Sequence, residues 1–426
     1  MQFGFIREVA LKQEKLVVGL DVGSTRVRAV VGEINSSYNG NGDAPGSIKI
    51  LGVGTSSSRG IRKGVVTNIE STAASIREAV QEAEKLTGIQ INAVHLGITG
   101  SHINCISSHG VIAVKEKEIG QKEIDSVIDS ARAVAIPFDR EILHVIPEGF
   151  TVNGQEGITD PRGMGGVRLE TNVQIVSGDA TSIQNMLRSC EKAGLEVIES
   201  VYQPLASADA ILTEDEKELG VAMIDIGGGT TEVSCFREGS FCHSAVIAIG
   251  GNNFTNDVAI GLRISTREAE YIKKKYGCTL LTLTKDDDEV EIGYDEGSTS
   301  RKIPRRYLVE ILQPRAEELF SLIKEEMAGK GLQRSLNAGV VLTGGGVLME
   351  GMDVMVENIL ELPVRTGYPV NYGVDAGING NPCYSTGVGL VLYGAEEFLP
   401  DLSHDNGHIF NGTMAKIKDW MSGKFK

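Results

Sequence analysis

Two short stretches hold the residue types that grip a polyphosphate. Asp21 closes the apolar run LVVGL and is followed by Val22, Gly23, Ser24 and Thr25. Asp225 closes VAMI and is followed by Ile226, then Gly227, Gly228, Gly229, Thr230 and Thr231. In such a turn glycines let backbone N–H groups approach phosphate oxygens, Ser and Thr hydroxyls add hydrogen bonds, and the aspartate can hold a hydrated Mg²⁺. One turn of this kind is weak evidence, because glycine also marks bulges and plain hairpins. Two, each opening a similar alternating strand, point to a duplicated domain whose lobes face one nucleotide.

Elements must position these groups. Each turn joins two strands of a β-hairpin. Polar loop residues follow at 35–46, then a strand from Ile48 to Val53 and a helix from Ser71 to Leu86 with apolar residues on a 3-4 spacing. From Ala93 to Glu170 the texture becomes β-rich around one helix, which suggests a small domain set into the first lobe. A helical segment, QPLASADAIL, leads into the second turn, and TREAEYIKKKYG reads as another helix. Lys285 to Ser300 is an acidic hairpin or loop. The helix RYLVEILQPRAEELFSLIKEEM contains Pro314, so a kink or two helices are expected. VVLTGGG is a buried strand ending in three glycines, and a last helix lies near Ser385 to Leu399.

At 426 residues the chain exceeds one ordinary hydrophobic core. Its formal charge of −16 argues against a nucleic-acid partner, which would call for a basic face. The six cysteines lack any Cys-x-x-Cys spacing and read as reduced, cytosolic thiols. The opening MQFGFIREVALKQEKL has no signal-peptide core, and no span approaches the apolar length needed to cross a bilayer. His95, His102 and His109 recur evenly but lack the close spacing of a metal set, so they read as unrelated.

Phosphate turn, connecting helix, second phosphate turn, Gly-Gly-x-x-Phe and strand-Gly-Gly-Gly follow in the order found in actin-like ATPases, which include DnaK-type chaperones, MreB and sugar kinases. Within that superfamily the chain resembles the FtsA family of bacterial cell-division proteins. The resemblance covers nearly the whole length and rests on the insert, LHVIPEGF, QPLASADAILTEDEKELGV, IDIGGGTTE, VVLTGGG and the tail. It implies an α/β actin-like ATPase fold: two lobes with duplicated mixed sheets, a small inserted α+β domain and a C-terminal amphipathic helix. Subdomain 1A would span 1–92 and 171–204, the inserted 1C 93–170, subdomain 2A 205–236 and 305–399, and 2B 237–304, with a linker and membrane helix over 400–426.

The same resemblance implies ATP and Mg²⁺ as cofactors, with Asp21 and Asp225 on the metal through water. Gly23, Ser24 and Thr25 would hold one side of the triphosphate, and Gly227, Gly228, Gly229, Thr230 and Thr231 the other. Gly251, Asn252 and Asn253 would border ribose or phosphate, Glu270 and Lys273 ribose and adenine, and Gly344, Gly345 and Gly346 the adenosine. Gln203 stands where relatives place a Glu at the head of the connecting helix. An amide can orient a catalytic water but cannot take its proton, so hydrolysis is expected to be slow or polymer-dependent.

The tail IFNGTMAKIKDWMSGKFK puts Phe410, Met414, Ile417, Met421 and Phe425 on one helical face with Trp420 at its edge. Lys416, Lys418, Lys424 and Lys426 outnumber Asp419, so the segment is basic on an acidic protein and suits an anionic membrane interface. By resemblance the chain would assemble with itself at the cytoplasmic face of the cell membrane at the division site, tether FtsZ through its C-terminal peptide and recruit later division proteins. The basic cluster Lys302, Arg305 and Arg306 is a candidate contact for that acidic peptide. An actin-fold small-molecule kinase and a PilM-like pilus-assembly scaffold are the competing readings.

Overall fold

The computed structural model of the chain describes residues 16–35, 47–134, 136–293, 301–370, 373–374, 378 and 380–398. Strand Leu16–Val22 pairs antiparallel with Arg26–Ile34, and Val221–Ile226 pairs antiparallel with Thr231–Arg237. Both turns close with the same bond: Gly23 N donates to Arg26 O at 3.0 Å, and Gly227 N donates to Thr230 O at 2.9 Å. The duplication continues outward. A third antiparallel strand flanks each hairpin, Ile48–Ser57 in the first lobe and Ser240–Ile247 in the second. On the other side each first strand has a parallel neighbour, Ala93–Ile98 and Gly339–Thr343, followed by Glu196–Tyr202 and Val364–Thr366. The first sheet gains Gly373–Val374 at its edge.

These strands run apolar almost without break, as central strands covered on both faces do; Val221, Ala222, Met223 and Ile224 are all fully buried. Helix Ile69–Thr87 covers one face of the first sheet and has both ends capped. Asn68 accepts from Ser71 N at 2.9 Å, and Gly88 takes the left-handed conformation at φ 71°. The connecting helix Gln203–Ile211 and helix Ser385–Ala395 pack together against the first sheet. Both are apolar nearly all round, the pattern of helices with no solvent face.

The insert is an antiparallel sheet in the order Asn104–Ala113, Arg168–Asp179, Arg140–Val152, Gln155–Ile158. Helix Gln121–Arg132 packs on it, and Val127, Ala131, Leu169, Val173 and Ile175 form a separate core. The sequence places this insert over 93–170, whereas Ala93–Ile98 lies in the first-lobe sheet and strand Arg168–Asp179 extends beyond 170. An apolar β run does not reveal which of two sheets it joins; the parallel pairing of Gly19, Leu20 and Asp21 with His95, Leu96 and Gly97 decides it.

Helix Arg305–Gly329 is assigned as one element despite Pro314, so two helices are not found. Its buried side, including Leu308, Leu312, Leu319, Phe320 and Ile323, packs into the second-lobe core and carries the chain past the missing N–H. The acidic stretch contributes Glu289–Ile292, paired antiparallel with Arg301–Pro304.

Candidate nucleotide cleft

The two phosphate turns face one another across a cavity of about 480 Å³. Its walls include Asp21, Gly23, Ser24 and Thr25 from the first lobe and Asp225, Gly227, Gly228, Gly229 and Thr230 from the second. Gln203, Gly251, Asn252, Glu270, Lys273, Gly344, Gly345 and Gly346, also expected from sequence, line it too. The fit is close enough to demand glycine: a Cβ at Gly228 would collide with Thr25 Oγ1 across the cleft. Gly344 has φ 85°, and a Cβ there would strike the Asp225 carboxylate.

Each turn is braced from behind. Gly64 N donates to Ser24 Oγ at 3.0 Å. Gly251 N and Asn252 N, in the first turn of helix Gly251–Leu262, donate to Gly227 O and Gly228 O at 2.9 and 2.8 Å. Lys273 reaches back from helix Thr266–Tyr276 to Gly251 O at 2.9 Å and Thr255 Oγ1 at 2.7 Å, and pairs with Glu270 at 2.6 Å. Burial opposes charge on Glu270, but Lys273 beside it outweighs that and holds its pKa below the usual carboxylate value. Burial lowers the pKa of Lys273.

Asp21 stands directly opposite Arg28 in the hairpin register. Arg28 donates to Asp21 Oδ2 and Gln203 to Asp21 Oδ1, both at 3.2 Å. The Gln203 amide also donates to Gly97 O at 3.3 Å. Burial raises the Asp21 pKa against the pull of Arg28. Asp225 is pushed well up by burial and then by the negative charges of Glu232 and Asp21. Glu232 is raised by burial, with hydrogen bonds from Thr230 and Thr99 working the other way. Three carboxylates crowded beside one guanidinium form a site short of positive charge, and that is the electrostatic setting a hydrated divalent cation suits.

Two expected residues are not among those walls. Thr231 is fully buried and donates to Ile249 O at 2.8 Å, because it follows Thr230 on an alternating strand and turns to the opposite face. Asn253 accepts from Gly250 N at 3.1 Å through its side chain and so caps its own helix. Sequence reasoning missed Arg28, Thr99 and Glu232, all on the wall. Strand alternation offered the signal for Glu232, two positions past Thr230. Nothing local flags Thr99.

The basic cluster at the edge of the second lobe is already engaged. Lys302 pairs with Glu289 at 2.8 Å, Arg306 with Glu310 at 3.1 Å, and Arg305 with Glu350. The three histidines occupy separate surroundings: His95 is buried in the first sheet, His102 accepts from Asp179 N, and His109 lies 3.4 Å from Glu170. Among the described residues no helix is long and apolar enough to cross a membrane. The tail residues Phe410, Met414, Lys416, Ile417, Lys418, Trp420, Met421, Lys424 and Phe425 lie outside the described residues.

Comparison with known proteins bears on both the cleft and the insert. A family model described as cell division protein FtsA matches residues 222–389, and one described as the SHS2 domain inserted in FtsA matches residues 100–177. The cell division protein FtsA of Pseudomonas aeruginosa is 40% identical over 423 residues, covering 98% of this chain and 100% of the relative. The chain belongs to the FtsA family.

Other FtsA proteins agree: that of Escherichia coli strain K12 is 35% identical with 96% of each chain covered. That of Bacillus subtilis is 36% identical over 90% of this chain and 84% of the relative. Solved structures supply the wider fold. The PilM–PilN type IV pilus biogenesis complex matches with a TM-score of 0.65 at 16% identity, over 89% of this chain and 98% of that one. MreB5 of Spiroplasma citri bound to ADP matches with a TM-score of 0.51 at 15% identity, over 89% and 96%. The fold is therefore the actin-like ATPase fold, carrying the inserted domain of the FtsA family of cell-division proteins.

Proposed function

We propose that this FtsA-family chain binds Mg-ATP between its lobes, assembles with itself on the cytoplasmic face of the cell membrane at the division site, and anchors the FtsZ ring there while later division proteins join. The observation that carries the reading is the shared cleft: two equivalent glycine turns, from two equivalent hairpins, converge on one cavity. Asp21 and Asp225 would hold the hydrated Mg²⁺, which supplies charge neutralisation for the triphosphate when bound. Ser24 and Thr25 would hydrogen-bond phosphate oxygens, Thr230 would close the turn beside them, and Gly344, Gly345 and Gly346 would let the adenosine lie against backbone. The raised carboxylates support metal-linked binding, since a cation relieves their mutual repulsion.

Calorimetric titration with ATP, with and without Mg²⁺, tests the cleft. Micromolar or tighter binding that weakens without metal is expected, and absence of heat with no rise in melting temperature refutes it. Membrane attachment is tested separately with anionic vesicles. The full chain should co-sediment and a chain ending at Leu402 should not. Burial of each large apolar side chain contributes up to about 1.5–3 kcal/mol, against roughly 1–2 kcal/mol per residue for ordering the helix. A single tail is thus a reversible anchor, and several tails on one assembly bind far more tightly through effective concentration.

A further inference from the structure

Gln203 is the residue expected to orient the attacking water; its Nε2 donates to Asp21 Oδ1 and Gly97 O, and although its Oε1 can accept from a water, an amide cannot take the proton. Of the other acidic groups on the wall, Asp21 faces Arg28, and Glu270 is paired with Lys273 and Lys274. Asp225 has the proposed metal role. Glu232 differs from all of them. It is buried, it borders the cavity, and its Oε1 accepts from two hydroxyls, Thr99 Oγ1 at 2.9 Å and Thr230 Oγ1 at 2.6 Å. One hydroxyl comes from each lobe: Thr99 follows strand Ala93–Ile98 of the first, and Thr230 ends the phosphate turn of the second.

We infer that Glu232 is the general base for hydrolysis of bound ATP, held in its working position by Thr99 across the closed cleft. This rests on the proposed Mg-ATP binding. The oxygen of a water attacks the γ-phosphorus, and the bond from that phosphorus to the β,γ-bridging oxygen breaks with its electron pair retained by ADP. The water's proton passes to the Glu232 carboxylate, and the products are ADP and inorganic phosphate. Burial suits the group to this work, because a desolvated carboxylate is a stronger base than an exposed one. Thr99 is a positioning residue: when the lobes part, its hydroxyl leaves and Glu232 loses its hold, so hydrolysis follows closure. That dependence gives a physical route by which packing of subunits, if it favours the closed cleft, raises turnover.

The test combines binding and single-turnover hydrolysis on the full chain. Glu232→Gln keeps an acceptor for both hydroxyls but cannot take a proton. Its Mg-ATP dissociation constant should stay within about threefold of wild type, while phosphate release should fall on the order of 10²–10⁴-fold. Thr99→Val should lower single-turnover hydrolysis at least tenfold with Mg-ATP affinity within about threefold of wild type, and Thr99→Ser, which keeps the hydroxyl, should restore it.

Hydrolysis by Glu232→Gln within twofold of wild type, at normal binding, overturns the assignment, as does absence of hydrolysis in wild type that binds Mg-ATP. If Glu232→Gln does not fold, hydrolysis by Thr99→Val within twofold of wild type overturns it. Failure of wild type to bind Mg-ATP is a different outcome and removes the functional reading beneath it.

Discussion

Gln203→Glu would place at the head of the connecting helix the carboxylate that relatives of this fold carry there. In this chain the change should be costly. The amide nitrogen lies 3.2 Å from Asp21 Oδ1 and 3.3 Å from Gly97 O. A carboxylate in its place would lose two donated hydrogen bonds, worth about 1 kcal/mol each. It would also set a second negative charge 3.2 Å from the first. At an effective dielectric constant near 20 that repulsion is about 5 kcal/mol. The favourable interaction of an acid with a helix N-terminus is about 0.3–1 kcal/mol and does not offset it. The pair escapes by sharing a proton, so the penalty is pH-dependent. The introduced carboxylate has an unfolded pKa of about 4.3 and a raised folded one. The repulsive part of its cost is absent below about pH 4.3, grows as pH rises, and is complete once the folded pKa is passed. Thermal melts of wild type and Gln203→Glu without nucleotide or Mg²⁺ should differ little at pH 5. At pH 8 they should differ on the order of 10 °C, taking about 3–5 kcal/mol at about 2–4 °C per kcal/mol. Melting temperatures within 2 °C of each other at pH 8 would refute the view that the Gln203 amide neutralises the Asp21 environment.

Asp225→Asn removes a carboxylate that burial and its neighbours Glu232 and Asp21 all disfavour, so the nucleotide-free protein should melt a few degrees higher. The same variant should lose at least tenfold in Mg-dependent ATP affinity by calorimetry; a lower melting temperature at neutral pH would show that the site is not short of positive charge. Gly228→Val puts a side chain into Thr25 across the cleft and should prevent full closure. Its ATP affinity should fall at least tenfold with an almost unchanged circular-dichroism melt, and unaltered affinity would refute the close packing of the two turns.

Local pattern carried much of this protein. Apolar runs ending in Asp, glycine turns bearing hydroxyls, and the alternation after them fix both hairpins, because backbone freedom at glycine and period-two burial are properties of a few adjacent residues. The helical spacing from Ser71 to Leu86 foretells a helix assigned over Ile69–Thr87, and the two phosphate turns already announce a duplicated lobe. Tertiary structure decided which sheet receives Ala93–Ile98, since its apolar run would suit either the lobe or the insert until it pairs with Leu16–Val22. It also decided that Thr231 and Asn253 serve the scaffold, and that Arg28, Thr99 and Glu232 border the cleft. Alternation along a strand tells which side chains share a face, but not whether that face meets a helix layer or an open cavity. The meeting of Thr99 with Glu232 joins residues from opposite lobes, so no window of sequence contains both, and only the closing of the two lobes on each other brings them within a hydrogen bond.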